Sequence, residues 1–212
     1  MDQPEAAAGK RIPKAVIKRL SLYSRVLQNL EMKTITKVSS KELSEHLGQN
    51  PAQVRKDLAY FGQFGIPGVG YYVAELRAQI KRILRTDREV RAAVIGIGNL
   101  GQALMSYTGF QRQGFQIAGA FDADPAKVGM TIRGAQVYHI NELEDRIRQL
   151  GIEIVILALP REAAQTVVDR VVQSGINAIL NFVPARLVVP TGVKVHYVDL
   201  TIELESLAYY LK

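Results

Sequence analysis

An α/β protein in two parts is the fold class this sequence predicts: a small helical N-terminal module, then a larger body on a parallel β-sheet. Three observations predict it. The apolar run Ala92-Ala93-Val94-Ile95 leads into Gly96-Ile97-Gly98-Asn99-Leu100-Gly101, a strand followed by a G-x-G-x-x-G loop. From Val90 onward, strand-like runs alternate with helical ones, the pattern of a parallel sheet with crossover helices. Charge is divided along the same line. Residues 1–90 hold 16 Lys and Arg against 9 Asp and Glu, whereas residues 91–212 hold 11 of each, so the whole net charge of +7 lies in the first part. A basic module joined to a neutral one suggests a phosphate-facing domain; the competing reading is a solvated basic face.

Composition narrows the class. The 212 residues allow one large or two small domains, and 48% hydrophobic residues are enough for a core. No apolar run nears the roughly 18 residues that cross a bilayer. Residues 1–11 lack a signal-peptide stretch and are expected to be a disordered tail. With no cysteine there is no disulfide, thiol nucleophile or thiolate metal site, which fits a cytoplasmic protein. His46, His139 and His196 are too scattered for a metal site or an acid–base motif.

The elements follow in order. Pro13 suits a first helical turn, and Val16, Leu20, Tyr23, Leu27 and Leu30 keep helical spacing behind it. Ser39 with Glu42 makes a capping box for a short helix that buries Leu43 and Leu47 and stops at Gly48. Asn50 caps a third helix with Pro51 at its first position. On that helix Val54, Leu58 and Phe61 face the core, and Ala52, Lys56 and Ala59 fall opposite, flanked by Gln53, Arg55 and Tyr60. Small residues beside long donors suit a helix lying in a major groove, with Ala52, Gln53, Arg55, Lys56 and Tyr60 as the contacting set. Asp57 lies near the core edge, where an internal partner is expected. The same pattern also occurs in bundles that bind nothing. The glycines and apolar residues of Gly62–Val73 read as a β-hairpin, which turns a helix-turn-helix into a winged helix. A helix over Ala74–Leu84 and the polar junction Thr86–Glu89 close a domain of residues 12–85.

In residues 86–198 the expected strands are Val90–Ile95, Phe115–Asp122, Ile152–Leu159, Ala178–Phe182 and Val193–Val198. The expected helices are Leu100–Tyr107, Asn141–Leu150 with Asn141 as cap, and Glu162–Ser174. The glycine loop sits where a Rossmann dinucleotide site needs it. Gly96 permits the tight turn, Gly98 close backbone approach, and Gly101 close packing, with Asn99 and Leu100 opening the helix that receives a pyrophosphate. Asp122 ends the next strand about twenty residues on, where a carboxylate holds ribose hydroxyls. Neither Ala123 nor Asp124 after it is basic, which favours NAD over NADP. Leu159-Pro160 and Asn181-Phe182-Val183-Pro184 lie at the same sheet edge, either as walls for the nicotinamide half or as plain turns. Residues 199–212 form a last helix, apolar almost all round at Leu200, Ile202, Leu204, Leu207, Tyr209, Tyr210 and Leu211, which a second subunit would cover.

From about Ile12 to Lys212 these residues resemble the redox-sensing repressor family called Rex. The likeness is closest in Pro51–Leu58, Gly96–Gly101 and Val198–Leu204. The resemblance implies a homodimer with winged-helix heads, Rossmann bodies and a C-terminal helix swapped between subunits. It implies repression at an inverted-repeat DNA operator, release by NADH, and competition by NAD, which favours the bound form. It also implies three switch residues: Arg25 of the first helix, Asp199 at the start of the swapped helix, and Tyr107 near the nicotinamide. The acid would pair with the arginine on DNA and with the tyrosine when NADH closes the dimer. Without the resemblance, Arg25 reads as a surface charge and Asp199 as a helix cap. The family often has a basic pair in the wing where this chain has Ile66-Pro67, which puts the wing's phosphate contacts in doubt. A dehydrogenase fits poorly, since no acid–base motif and no substrate domain accompany the glycine loop. A constitutive DNA binder whose body only dimerises is the third reading.

Overall fold

The computed structural model describes residues 12–211, so the expected tail over residues 1–11 lies outside the described residues. They divide into two units between Arg88 and Glu89, within the polar stretch Thr86–Glu89.

The first unit opens with α1 (Lys14–Met32), which buries Val16, Leu20, Tyr23, Leu27 and Leu30. β1 (Lys37–Val38) leads to α2 (Ser40–Glu45). Its capping box is complete: the Glu42 amide donates to Ser39 Oγ at 3.1 Å, and the Ser39 amide donates to Glu42 Oε2 at 2.7 Å. α3 (Pro51–Ala59) is capped by Asn50, whose Oδ1 accepts from the Ala52 amide at 2.8 Å. β2 (Tyr71–Tyr72) and α4 (Val73–Ile83) complete the unit around a core of Leu20, Tyr23, Leu27, Leu43, Val54, Leu58, Leu76 and Ile80.

The expected hairpin over residues 62–73 does not form as such. β2 pairs antiparallel with β1 instead, Val38 opposite Tyr71 and Lys37 opposite Tyr72. Residues 62–70 close on themselves through a single Ile66–Gly70 bridge and a turn in which the Val69 amide donates to the Ile66 carbonyl at 3.0 Å. Pro67 lacks the amide a ladder needs, and Gly68 at φ +77° takes the left-handed place in that turn. Gly70 lets the chain lie against β1: its φ is +92°, and a Cβ there would stand 2.6 Å from the Val38 carbonyl oxygen.

The second unit runs β3 (Val90–Ile95), α5 (Asn99–Ser106), α6 (Gly109–Arg112), β4 (Phe115–Asp122), β5 (Thr131–Ile132) and β6 (Ala135–His139). It continues with α7 (Leu143–Leu150), β7 (Ile154–Leu157), α8 (Arg161–Gln173), β8 (Ala178–Asn181), β9 (Lys194–Tyr197) and α9 (Leu200–Ala208). The sheet order is β5-β6-β4-β3-β7-β8-β9, parallel except for the β5–β6 pair. The chain leaves β3 in one direction for β4 and in the other for β7, so the order reverses at β3 and opens a crevice at the strands' C-terminal ends. One face buries Ile95, Phe121 and Leu157 against α7 and α8; the other packs Val94, Ala120 and Ile156 with Met105 of α5.

Three details differ from expectation. The β5–β6 hairpin and the single turn of α6 are additions. Asn141 does not cap α7; His139 at the end of β6 accepts the Asn141 amide on Nδ1 at 3.2 Å, and a 3-10 turn over Ile140–Glu142 precedes α7. Asn141 is already inside the turn that it was expected to start. α9 begins at Asp199, whose Oδ1 accepts from the Thr201 amide at 2.9 Å. Leu200, Ile202, Leu204 and Leu207 along it are each at least 60% exposed, so its apolar surface finds no cover in its own chain among the described residues.

Candidate functional site

Two sites stand on the two units. On the first, α3 buries Val54, Asp57 and Leu58 and turns Ala52, Arg55, Lys56 and Ala59 to solvent. This outward face is small and basic. Arg55 is braced by a hydrogen bond from Nη1 to Ser40 Oγ of α2 at 2.8 Å. Gln53 and Tyr60 are half-buried at its margins. Between the end of α3 and the loop 62–70 runs a groove of about 680 Å³, with Ser40, Arg55 and Ala59 on one side and Ile66 to Gly70 on the other. Such a groove can take a sugar–phosphate backbone, with the helix and the loop reaching the surfaces on either side of it.

Asp57 is fully buried and carries four donors. Arg19 of α1 forks onto it, Nε to Oδ2 at 2.5 Å and Nη2 to Oδ1 at 2.8 Å. The Tyr23 hydroxyl donates to Oδ2 at 2.7 Å and the Gln53 amide to Oδ1 at 2.6 Å. Burial pushes its pKa up, and the hydrogen bonds from Arg19, Tyr23 and Gln53 overcome that, holding it below the usual aspartate value.

On the second unit the crevice at the strand ends is a cleft of about 630 Å³. Gly96, Gly98, Asp122, Leu159 and Pro160 of the expected set line it. The three glycines do different work. Gly96 has φ +94°, and a Cβ there would lie 2.5 Å from the Ala158 carbonyl oxygen. A Cβ on Gly101 would meet the Gly96 carbonyl at 1.9 Å, so that glycine seats α5 on the loop. A Cβ on Gly98 would meet nothing within 4 Å, so this backbone faces the open cleft. Gly98 also precedes an α5 N-terminus with no side-chain cap, leaving donors for an anionic group. Asn99 and Leu100, exposed on α5, and Gly101 behind them do not line the cleft itself.

Asp122 Oδ2 accepts from the Ile97 amide at 2.7 Å and Oδ1 from the Asp124 amide at 2.9 Å. Lys127 Nζ stands 3.2 Å from Oδ2. Burial raises the pKa of Asp122, but the Asp124 and Ile97 amides and then Lys127 bring it below the ordinary value. Lys127 was missed in the sequence. The signal for it was Asp122-Ala123-Asp124-Pro125: Asp122 accepts from the Asp124 amide and Asp124 from the Ala126 amide, so the chain folds back and returns Lys127 to the carboxylate.

Two expected cofactor residues lie elsewhere. Asn181 is fully buried and staples its own turn, with Nδ2 donating to the Val183 carbonyl at 3.0 Å and Oδ1 accepting from the Val183 amide at 2.9 Å. Tyr107 lies past the far end of α5 from the glycine loop, 60% exposed, on the wall of a separate cavity of about 310 Å³ with Phe110 and Arg133. Of the other two residues expected in a switch, Arg25 is exposed on α1 and Asp199 caps α9. Among the described residues no His, Asp and Glu cluster could hold a metal, and no helix is long and apolar enough to cross a membrane.

Comparisons with known proteins bear on both sites. Residues 11–59 match the family described as "Putative DNA-binding protein N-terminus", and residues 87–185 match the "CoA binding domain" family. The chain is 47% identical to the redox-sensing transcriptional repressor Rex of Roseiflexus sp. (strain RS-1), over 94% of this chain and 90% of that protein. It is 46% identical to Rex of Geobacillus kaustophilus, over 95% and 94%. Among solved structures it is similar to RSP, a Rex-family repressor. RSP in complex with β-NAD+ and operator DNA gives a TM-score of 0.88 at 41% identity, covering 95% of this chain and 93% of that one. RSP in complex with β-NADH gives 0.83 at 39%, covering 95% and 94%.

Proposed function

The chain belongs to the Rex family of redox-sensing transcriptional repressors, and from that premise we propose that it is a repressor, not an enzyme, whose operator affinity reports the ratio of NADH to NAD. One observation carries the reading: a single chain pairs the exposed basic face of α3 with a glycine-loop cleft that ends in a carboxylate. The residues fit a dinucleotide. Gly98 leaves backbone open where a pyrophosphate would lie, the uncapped backbone amides of Asn99 and Leu100 at the start of α5 would reach it from the cleft's edge, and Gly101 keeps that helix close. Asp122 would take the ribose hydroxyls, with Lys127 yielding its place or bridging, and Leu159 and Pro160 would wall the nicotinamide half. In this role NAD(H) supplies no chemistry; it is a reporter ligand.

The heads would act in pairs. Two copies of α3 read two half-sites of an inverted repeat, with Arg55 and Lys56 supplying the charge. α9 would be the means of pairing: its leucines are exposed in the single chain, and packing on the partner's chain would bury them. Asp199 at its start, Arg25 and Tyr107 then form the switch, one carboxylate with two alternative partners. The reduced ligand shifts the balance only by binding the closed dimer more tightly than the open one, and two clefts per dimer double that difference. A cytoplasmic site of action follows from this role.

The test is fluorescence anisotropy of a labelled inverted-repeat duplex in the presence of NAD, titrated with NADH. Release by NADH at concentrations where added NAD does nothing supports the reading. Tight binding indifferent to both nucleotides overturns it in favour of a constitutive DNA binder.

A further inference from the structure

The buried carboxylate of α3 has a consequence at the surface. Each oxygen of Asp57 accepts two hydrogen bonds, one from Arg19 on either side, one from Tyr23 and one from Gln53. An ionised carboxylate only accepts, so Gln53 must turn its nitrogen inward, and its oxygen then faces away from Asp57. Gln53 is half-buried and lies, in helical projection, between Asp57 and the exposed Lys56. One amide hydrogen is spent on Asp57. The outward oxygen and the remaining N–H form an acceptor–donor pair, the complement of N6 and N7 of adenine in the major groove.

We propose that Asp57 is a positioning residue for DNA reading: it sets the Gln53 amide in one orientation and so makes Gln53 a reader of adenine in each half-site. Arg19 and Tyr23 sit one turn apart on α1, so the amide is referenced to the body of the head rather than to solvent. The inference rests on the DNA-binding reading above.

The experiment is selection from a randomised double-stranded DNA pool, read by sequencing, with the full chain and three variants. Gln53→Ala removes the reader. Asp57→Asn places a donor face against Arg19 and frees Gln53 to rotate. Tyr23→Phe takes away one of the four donors and keeps the charge. In the wild type one A·T pair per half-site is expected to depend on Gln53. Gln53→Ala and Asp57→Asn should both lose preference at that same pair, on the order of tenfold, with other positions kept. Tyr23→Phe should lose a smaller factor there, and it stands as the decisive variant if Asp57→Asn does not fold. Unchanged preferences in Gln53→Ala overturn the proposal. So does an even loss at all positions in Asp57→Asn or Tyr23→Phe, which would make the network a matter of stability alone. A wild type that selects no sequence instead overturns the repressor reading beneath it.

Discussion

Asp57 and Asp122 are two carboxylates with depressed pKa values, one in each unit, and they are held in opposite ways. The Asp57 side chain is 0% exposed and takes its donors from side chains of α1 and α3. The Asp122 side chain is 11% exposed, at the rim of a cleft, and two of its donors are backbone amides of the loops that build the cleft. The difference teaches what each is for. A carboxylate sealed by side chains from another helix has no capacity left for a ligand, and its work is to fix one element on another. A carboxylate held by loop backbone, with a lysine at 3.2 Å as its remaining partner, is fixed in place yet keeps one partner that a ligand hydroxyl could replace.

The largest expected effect is on the sealed site. Asp57→Ala leaves the partly buried Arg19 guanidinium, the Tyr23 hydroxyl and the Gln53 amide without their acceptor. A loss of about 3 kcal/mol in the stability of the first unit is expected, read by urea unfolding. A variant within 0.5 kcal/mol of wild type, the usual range of a surface change, would remove the contrast with Asp122. Next comes Asp122→Ala, which should weaken NADH roughly ten- to hundredfold, the value of a hydrogen bond to a charged group, with operator binding kept. Calorimetry giving an unchanged NADH affinity would take Asp122 out of the site.

Glycine substitutions sharpen the same line between structure and ligand. Gly101→Ala puts a methyl against the Gly96 carbonyl and should lower the melting temperature. Gly98→Ala meets only open cleft, at φ −79°, so it should melt as the wild type does and lose dinucleotide binding. Loss of stability in Gly98→Ala would mean that the loop closes differently from the structure described above.

The smallest effect is with acid. Both aspartates have folded pKa values below the ordinary 3.8, so their contribution is complete above that value and is lost as pH falls through the lower folded values. Stability that declines only below about pH 4 is expected in an unfolding series, and Asp57→Asn should flatten that decline. An equal decline in the variant would assign it to other carboxylates.

The contrast also explains what could be read from the chain. Caps and glycines act within a few residues, so Ser39 with Glu42, Asn50 with Pro51, and the glycine loop were legible. Asp57 could be placed at the core edge by helical phase, but Arg19 and Tyr23 come from 38 and 34 residues away, a distance that local pattern does not cross. The pairing of Tyr71-Tyr72 with Lys37-Val38 was hidden for the same reason: the glycines around it suggested a local partner, and the sheet used a distant one. Asn181 looked like a cleft residue because it ends a strand, yet its amide is consumed by its own turn. Tyr107 was expected at the site only through the family likeness, and within one chain α5 carries it away from the glycine loop to the wall of a separate cavity. α9 was legible as a helix too apolar to stand alone, and it is as exposed as that pattern implied.

The most direct test of a coupled pair of sites is reciprocity. The Kd for NADH is measured by its fluorescence with and without a saturating operator duplex, and the Kd for the duplex with and without saturating NADH. Linkage requires the factor by which saturating NADH weakens the duplex to equal the product of the factors by which the duplex weakens the two NADH sites of the dimer, and a weakening of about tenfold per NADH site, hence about a hundredfold for the duplex, is the expected result. An NADH affinity indifferent to the duplex would mean that the cleft and α3 share a chain without sharing a switch.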